Sequence, residues 1–187
     1  MNAANGNMAE YTVERKPTGK YLKYKIACIA LYILIVLGYL SLAVALGTYS
    51  VWVAVVTIPF VPLFILLLRH YVWNRYVNVE YKYEIASAKI IFYEVYGKTR
   101  ENKIYERLIS EYSLIAPVEE QYREKYEKAD VVRDFRGNEK SPDAYFMLAT
   151  EPDGRTSVVF FEAAEKTLKA LKYYNSQNLV ATKQTTR

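Results

Sequence analysis

One histidine, one cysteine and a scatter of carboxylates are what this sequence offers for chemistry. His70 stands beside Arg69 and Cys28 lies inside an apolar run, so neither has partners at the spacing of a zinc site or of a Cys–His or Ser–His–Asp constellation. A single cysteine also excludes an intramolecular disulfide. Glu80, Glu94, Glu106 and Glu111 could in principle work in pairs as acid and base. Strand alternation sets them opposite Tyr81, Ile91, Tyr105 and Tyr112, which turns them toward solvent. Asp134, Asn138 and Asp143 lack the spacing of an EF-hand loop. Lys16-Pro17-Thr18-Gly19-Lys20 contains a Gly-Lys pair, but Glu14 and Tyr21 stand where a phosphate loop needs Gly and Ser or Thr. The residues predict a protein with no catalytic activity, no cofactor and no metal.

What the residue types do indicate is a lipid bilayer. Ile26 to Leu68 contains no charged residue and is broken once, at Gly47-Thr48-Tyr49-Ser50. A helix over Ile26–Leu46 would rise about 31 Å, against a hydrocarbon core of roughly 30 Å. The run is too long and too late for a signal peptide, and a second apolar run, Val51–Leu68, follows at once. The expectation is a two-helix hairpin over residues 21–76, with spans at about 26–46 and 51–68. Pro59 and Pro62 predict a kink in the second span. Gly38, Ser41 and Ala45 share a helical face and are expected to pack within the hairpin. Spans without an ionisable residue make a poor ion pathway.

Lys16, Lys20, Lys23 and Lys25 precede the first span, with Arg69, Tyr71, Trp73 and Arg75 after the second. These eight residues are the candidate membrane-interface and lipid-headgroup contacts, since Lys stems snorkel and Tyr and Trp favour the headgroup layer. The loop between the spans carries no charge. The positive-inside rule then places both termini in the cytoplasm. The formal net charge of +5 is concentrated in the first 25 residues, where five basic residues face two acidic ones, so it is not a nucleic-acid footprint.

Beyond the hairpin, residues 77–180 read as a polar β-domain closed by a helix. Val77 to Ile85 alternates with period two, Ala86-Ser87-Ala88 turns the chain, and Lys89–Tyr96 is a partner strand. Gly97-Lys98 turns again, and Asn102–Ile115 supplies one long strand or two short ones. Glu119–Asp130 is a charged surface helix or loop. Ala144–Thr150 and Thr156–Phe161 form a hairpin about Pro152-Asp153-Gly154. Ala164, Leu168, Leu171 and Tyr174 line one face of a helix over Glu162–Asn175. Residues 1–20 are expected to be a flexible basic tail and 181–187 a frayed end.

This order matches a pleckstrin-homology-like fold, in which an antiparallel β-barrel or curved sheet is capped by a C-terminal helix. The chain also resembles a bacterial family of small two-span membrane proteins known only as a domain of unknown function. The resemblance rests on Val13-Glu14-Arg15-Lys16 with Thr18-Gly19-Lys20, on Val79-Glu80-Tyr81-Lys82-Tyr83, and on Asp153-Gly154, Phe160-Phe161-Glu162 and the closing helix. It implies an inner-membrane protein and supplies no catalytic residues. The sequence departs from it at Ala86-Ser87-Ala88, where the family implies an Asn-Gly-like turn, and at Ala163, where it implies Pro. The functional expectation is a membrane-tethered interaction module whose partners are the bilayer and a membrane or cytoplasmic protein. The alternatives are an anionic-lipid sensor and an accessory subunit of a larger membrane complex.

Overall fold

The computed structural model describes residues 9–16, 20–48, 50–57, 60–73 and 77–180, and these divide into two compact units. The helical unit spans Lys16–Val79 together with the turn Tyr96–Thr99. Its helices are α1 (Lys20–Gly47), α2 (Val51–Thr57) and α3 (Phe60–Leu68), and a π-helical turn, Arg69–Trp73, continues from α3. Leu22–Gly47 has a mean hydropathy of 2.6, and only 6% of its most apolar stretch is buried. The core helix of a water-soluble fold would be mostly buried.

The run expected as a second span forms two helical segments. Among the described residues only α1 is long and apolar enough to cross a membrane, since Pro62–Trp73 is shorter. Pro59 lies outside the described residues. Pro62 is the third residue of α3, where an N–H would lack an intrahelical acceptor in any case. The small-residue stripe is a correction. Ser41 and Ala45 are exposed and a Cβ on Gly38 would meet nothing within 4 Å, so the stripe takes no part in packing within this unit. The buried position on α1 is Ala43.

The second unit holds two four-stranded sheets. In the first the order is β1 (Ala9–Glu14), β2 (Val79–Ala86), β3 (Lys89–Tyr96) and β4 (Arg100–Leu108). The second has the order β5 (Tyr112–Pro117), β7 (Ala144–Thr150), β8 (Thr156–Glu162) and β6 (Val131–Asp134). Alternation carries β2, whose Tyr81, Tyr83 and Ile85 are buried while Glu80, Lys82 and Glu84 are half-exposed. β7 and β8 are buried almost throughout because both faces of their sheet are covered. One face meets Phe92, Phe135 and Leu168 in the main core, and the other meets Tyr122, Tyr126 and Val180. The charged segment 119–130 is therefore a lid: a 3-10 turn (Glu120–Tyr122) and α4 (Arg123–Glu127) lay two tyrosine rings on Phe146, with Tyr126 also on Phe160.

Three sequence expectations change here. The fold is two sheets with no strand pairing between β4 and β6 or between β1 and β5, so no closed barrel forms. The tail expected over residues 1–20 contains β1, which pairs antiparallel with β2 from Ala9↔Ile85 to Glu14↔Glu80. A domain beginning at residue 77 therefore omits one of its own strands. Val131–Asp134 is a further strand and runs parallel to β8.

The turn between β2 and β3 places Ser87 at φ 52° and Ala88 at φ 63°. Both central residues of a two-residue hairpin turn sit in the left-handed region, which Asn-Gly adopts readily and Ser-Ala does not. Replacing Ser87 with Asn and Ala88 with Gly is expected to stabilise the unit by about 1–2 kcal/mol, read as a higher unfolding midpoint of the full chain in detergent. An unchanged or lower midpoint contradicts this. At the second departure, Ala163 donates its N–H to Asp143 O at 2.9 Å, a bond that proline could not make.

Helix α5 (Glu165–Tyr174) buries Leu168 and Leu171 and packs against β1. Buried Asn175 ends it and donates from Nδ2 to Ile109 O at 2.8 Å and Tyr112 O at 2.9 Å. Those carbonyls belong to the short crossing between the sheets. Asn175→Ala leaves two buried carbonyls without this donor and is expected to cost about 2 kcal/mol, measured by the same midpoint.

Candidate functional site

The described candidate membrane contacts fall in the helical unit. The Trp73 ring, half-buried in the π-helical turn, lies 6.0 Å from Tyr32 on α1. Tyr32 is the thirteenth of the 28 residues of α1, so the π-helical turn packs beside the middle of that helix. Lys23 near the start of α1 is exposed and Lys25 half-exposed, and Arg69 and Tyr71 on the π-helical turn are exposed. Lys20 opens α1, and Lys16, just beyond β1, is exposed. Arg75 and the Pro17–Gly19 portion of the rejected phosphate-loop motif lie outside the described residues. Lys20 and Lys23 lie about 14–18 Å along α1 from the Tyr32–Trp73 contact.

In the β-unit two of the four carboxylates singled out from the sequence, Glu106 and Glu111, are in ion pairs. Glu106 meets Lys89 at 2.6 Å and Lys103 at 2.8 Å. Their hydrogen bonds push its carboxyl down to about 2. Glu111 holds Arg107 Nε at 2.8 Å. The lowered Glu106 carboxyl is the opposite of a catalytic acid, which needs a raised pKa. Asp134 pairs with Arg136 at 2.6 Å, and no group of three metal-ligating side chains occurs among the described residues.

A denser polar site, absent from the sequence reading, bridges the unpaired edges of the two sheets. Arg107 comes from β4, Arg133 from β6, and Glu151 from the turn after β7. Glu151 Oε1 accepts from Arg133 Nη1 at 2.9 Å, and Oε2 lies 3.3 Å from Arg107 Nη1. Arg107 also donates from Nη2 to Thr150 O at 2.6 Å. Each guanidinium rides on a tyrosine: Arg133 sits 4.8 Å from the Tyr105 ring centre, and Arg107 5.9 Å from that of Tyr112. Burial alone would raise the Glu151 pKa. The Ser157 hydroxyl and the Arg133 and Arg107 charges outweigh it and hold the carboxyl below its ordinary value. Tyr112 is fully buried; that burial first, then the neighbouring Tyr105, drives its pKa well up.

Four of these groups come from separate segments, so no local spacing announces them. Their only sequence signal is an Arg at a position where strand alternation calls for an inward side chain, as at Arg107 beside Tyr105.

A family model described as a bacterial PH-like domain (DUF6106) matches residues 5–181. Comparison with curated proteins and comparison with solved structures yield no match.

Proposed function

The chain belongs to this bacterial PH-like family of unknown function, and we propose that it acts as a membrane-tethered interaction module without catalytic activity. Both termini face the cytoplasm. The helical segments form a two-span hairpin in the inner membrane, and the β-unit binds a membrane or cytoplasmic protein.

The observation that carries this reading is the pairing of β1 with β2. The whole apolar region lies between these two strands in the chain. Strands in one ladder share one side of a membrane, so residues 15–78 must cross it an even number of times. A helix as apolar and exposed as α1 needs lipid, and one crossing alone would separate β1 from β2. A returning span through α2 and α3 satisfies both demands, even though Pro62–Trp73 is short. Local bilayer thinning and snorkelling by Arg69 accommodate the deficit at modest energetic cost. Basic residues flank the apolar run on both sides in the sequence while its short turn carries none, which supports a cytoplasmic location for both ends by the positive-inside rule. The carboxylates already bound in ion pairs support binding over acid–base chemistry.

Protease protection on inside-out vesicles tests the layout with the full chain. Digestion of both the N-terminal epitope and the β-unit is expected without detergent. Protection of either one contradicts the topology.

A further inference from the structure

Segment 119–130 covers one face of the second sheet, yet it is tied to that sheet by hydrogen bonds only at its two ends. At the entry Val118 donates to Ala144 O at 2.9 Å. At the exit Asp130 donates to Thr156 O and its side chain accepts from the Thr156 N–H, both at 2.8 Å. Between these points the ion pairs close within the segment: Arg123 holds Glu120 and Glu127, and Lys128 holds Glu124. Gln121 likewise donates to Glu119. Among the described residues no ion pair joins the segment to the sheet. Its grip on the face comes from two half-buried rings, Tyr122 on Phe146 and Tyr126 on Phe146 and Phe160, with Ala129 beside them. Helix α4 has five residues and no side-chain cap, and a helix that short has no stability of its own. The charged side chains are already exposed, so lifting them from the sheet changes little in their hydration. The loop after β6 is fastened differently, since Glu162 accepts from the Asn138 N–H and the Ser141 hydroxyl in its middle.

We propose that segment 119–130 is a gate, which lifts from the sheet and recloses as a unit, hinged at Val118 and Asp130, while both sheets stay paired. Opening gives up the tyrosine ring contacts and uncovers Phe146, Val158 and Phe160, all of them buried when the gate is closed. Segments held by few apolar contacts and no backbone ladder open locally, well below the free energy of global unfolding. The β7–β8 ladder runs unbroken from Ala144↔Glu162 to Thr150↔Thr156 and does not use the backbone of α4. The gate therefore controls access to an apolar face that a soluble surface would not leave bare. The device belongs to the β-unit alone and does not depend on the membrane topology.

Two adjacent residues of β8 report on the two faces of the sheet. Val158 lies under the gate and Val159 in the main core, both fully buried, and Val→Cys nearly conserves volume. Each is replaced by cysteine in a Cys28→Ser background of the full chain, in nanodiscs of zwitterionic lipid. Modification by a small thiol reagent is then followed under native conditions. Val158→Cys is expected to react at least about tenfold faster than Val159→Cys, because its exposure needs only local opening. Adding Tyr126→Ala should speed Val158→Cys by roughly a further tenfold, the size of two aromatic contacts, and leave Val159→Cys nearly unchanged. Leu148→Cys and Met147→Cys, adjacent on β7 with the same division of faces, decide the matter should a valine variant fail to fold. Equal rates at the two faces overturn the proposal, as does equal acceleration of both by Tyr126→Ala. A Val158→Cys rate indifferent to Tyr126→Ala overturns it too, since the face would then be reached by another route.

Discussion

Replacing Glu151 with alanine is expected to destabilise the β-unit by about 3 kcal/mol, because it leaves Arg133 without its carboxylate and Arg107 with only Glu111 and Thr150 O. The Arg107 side chain is 10% exposed and that of Glu151 17%, so water screens the loss only in part. This is the lower end of what breaking a buried pair costs, given the partial exposure of the Arg133 side chain. The readout is the thermal midpoint of the full chain in detergent, with a drop of roughly 10 °C. Glu151→Gln keeps the shape and some hydrogen bonding and should lose less. A drop under about 1 kcal/mol would show the triad to behave as an ordinary surface pair.

The same carboxylate sets an acid dependence. Its folded pKa is lower than its unfolded one, because the arginines and Ser157 outweigh burial. Such a group stabilises the fold above its unfolded pKa, and the contribution disappears as pH falls through the folded value. Glu106, held at about 2, acts with the same sign. The midpoint should therefore fall on acidification from about pH 5 toward pH 2. In Glu151→Gln that slope should be shallower, and an identical slope would remove Glu151 as a source.

The second large effect is expected at Gly137. A Cβ there would lie 2.3 Å from Glu14 O and 2.5 Å from Val13 Cγ1. The obstruction is chiefly backbone, and that backbone is itself held in the β1–β2 ladder. Gly137→Ala must push β1 away or lift the loop after β6. The loop resists, since Glu162 accepts from the Asn138 N–H and the Ser141 hydroxyl, both at 3.0 Å. Phe135 at its root packs 4.5 Å from Phe92. Overpacking against such fixed neighbours costs about 3 kcal/mol. Hydrogen exchange should show faster exchange at β1 amides, with the β7–β8 ladder little changed. Wild-type protection at β1 would mean that the loop yields instead.

Local patterns in the sequence reveal much of this fold and little of its polar seam. β2, β3, β7 and β8 are legible because inward aromatics alternate or run together and turn residues bracket them. α5 shows in the spacing of Leu168 and Leu171. β1 is illegible because Ala9, Tyr11 and Val13 are too few to stand out in a polar stretch, and their partner lies beyond the apolar region. β6 has four residues and a parallel partner, β8, more than twenty positions away. Arg107, Arg133 and Glu151 look like ordinary surface charges until the tertiary fold joins them. The candidate membrane contacts, by contrast, are expectations that rest on each residue's neighbours in the chain.

The insertion of the apolar region between β1 and β2 also bears on how the chain is made. Glu14 pairs with Glu80, so β1 leaves the ribosome well before its partner strand exists. At about 5–20 residues per second the wait is several seconds. In the proposed topology β1 is, during that interval, an unpaired strand on the cytosolic side while the hydrophobic segments are still entering the bilayer. Completion of the first sheet thus waits on insertion. A chain whose helices stall in the insertion machinery would show an unsealed β2 edge, a template for aggregation that quality-control proteases and chaperones can read.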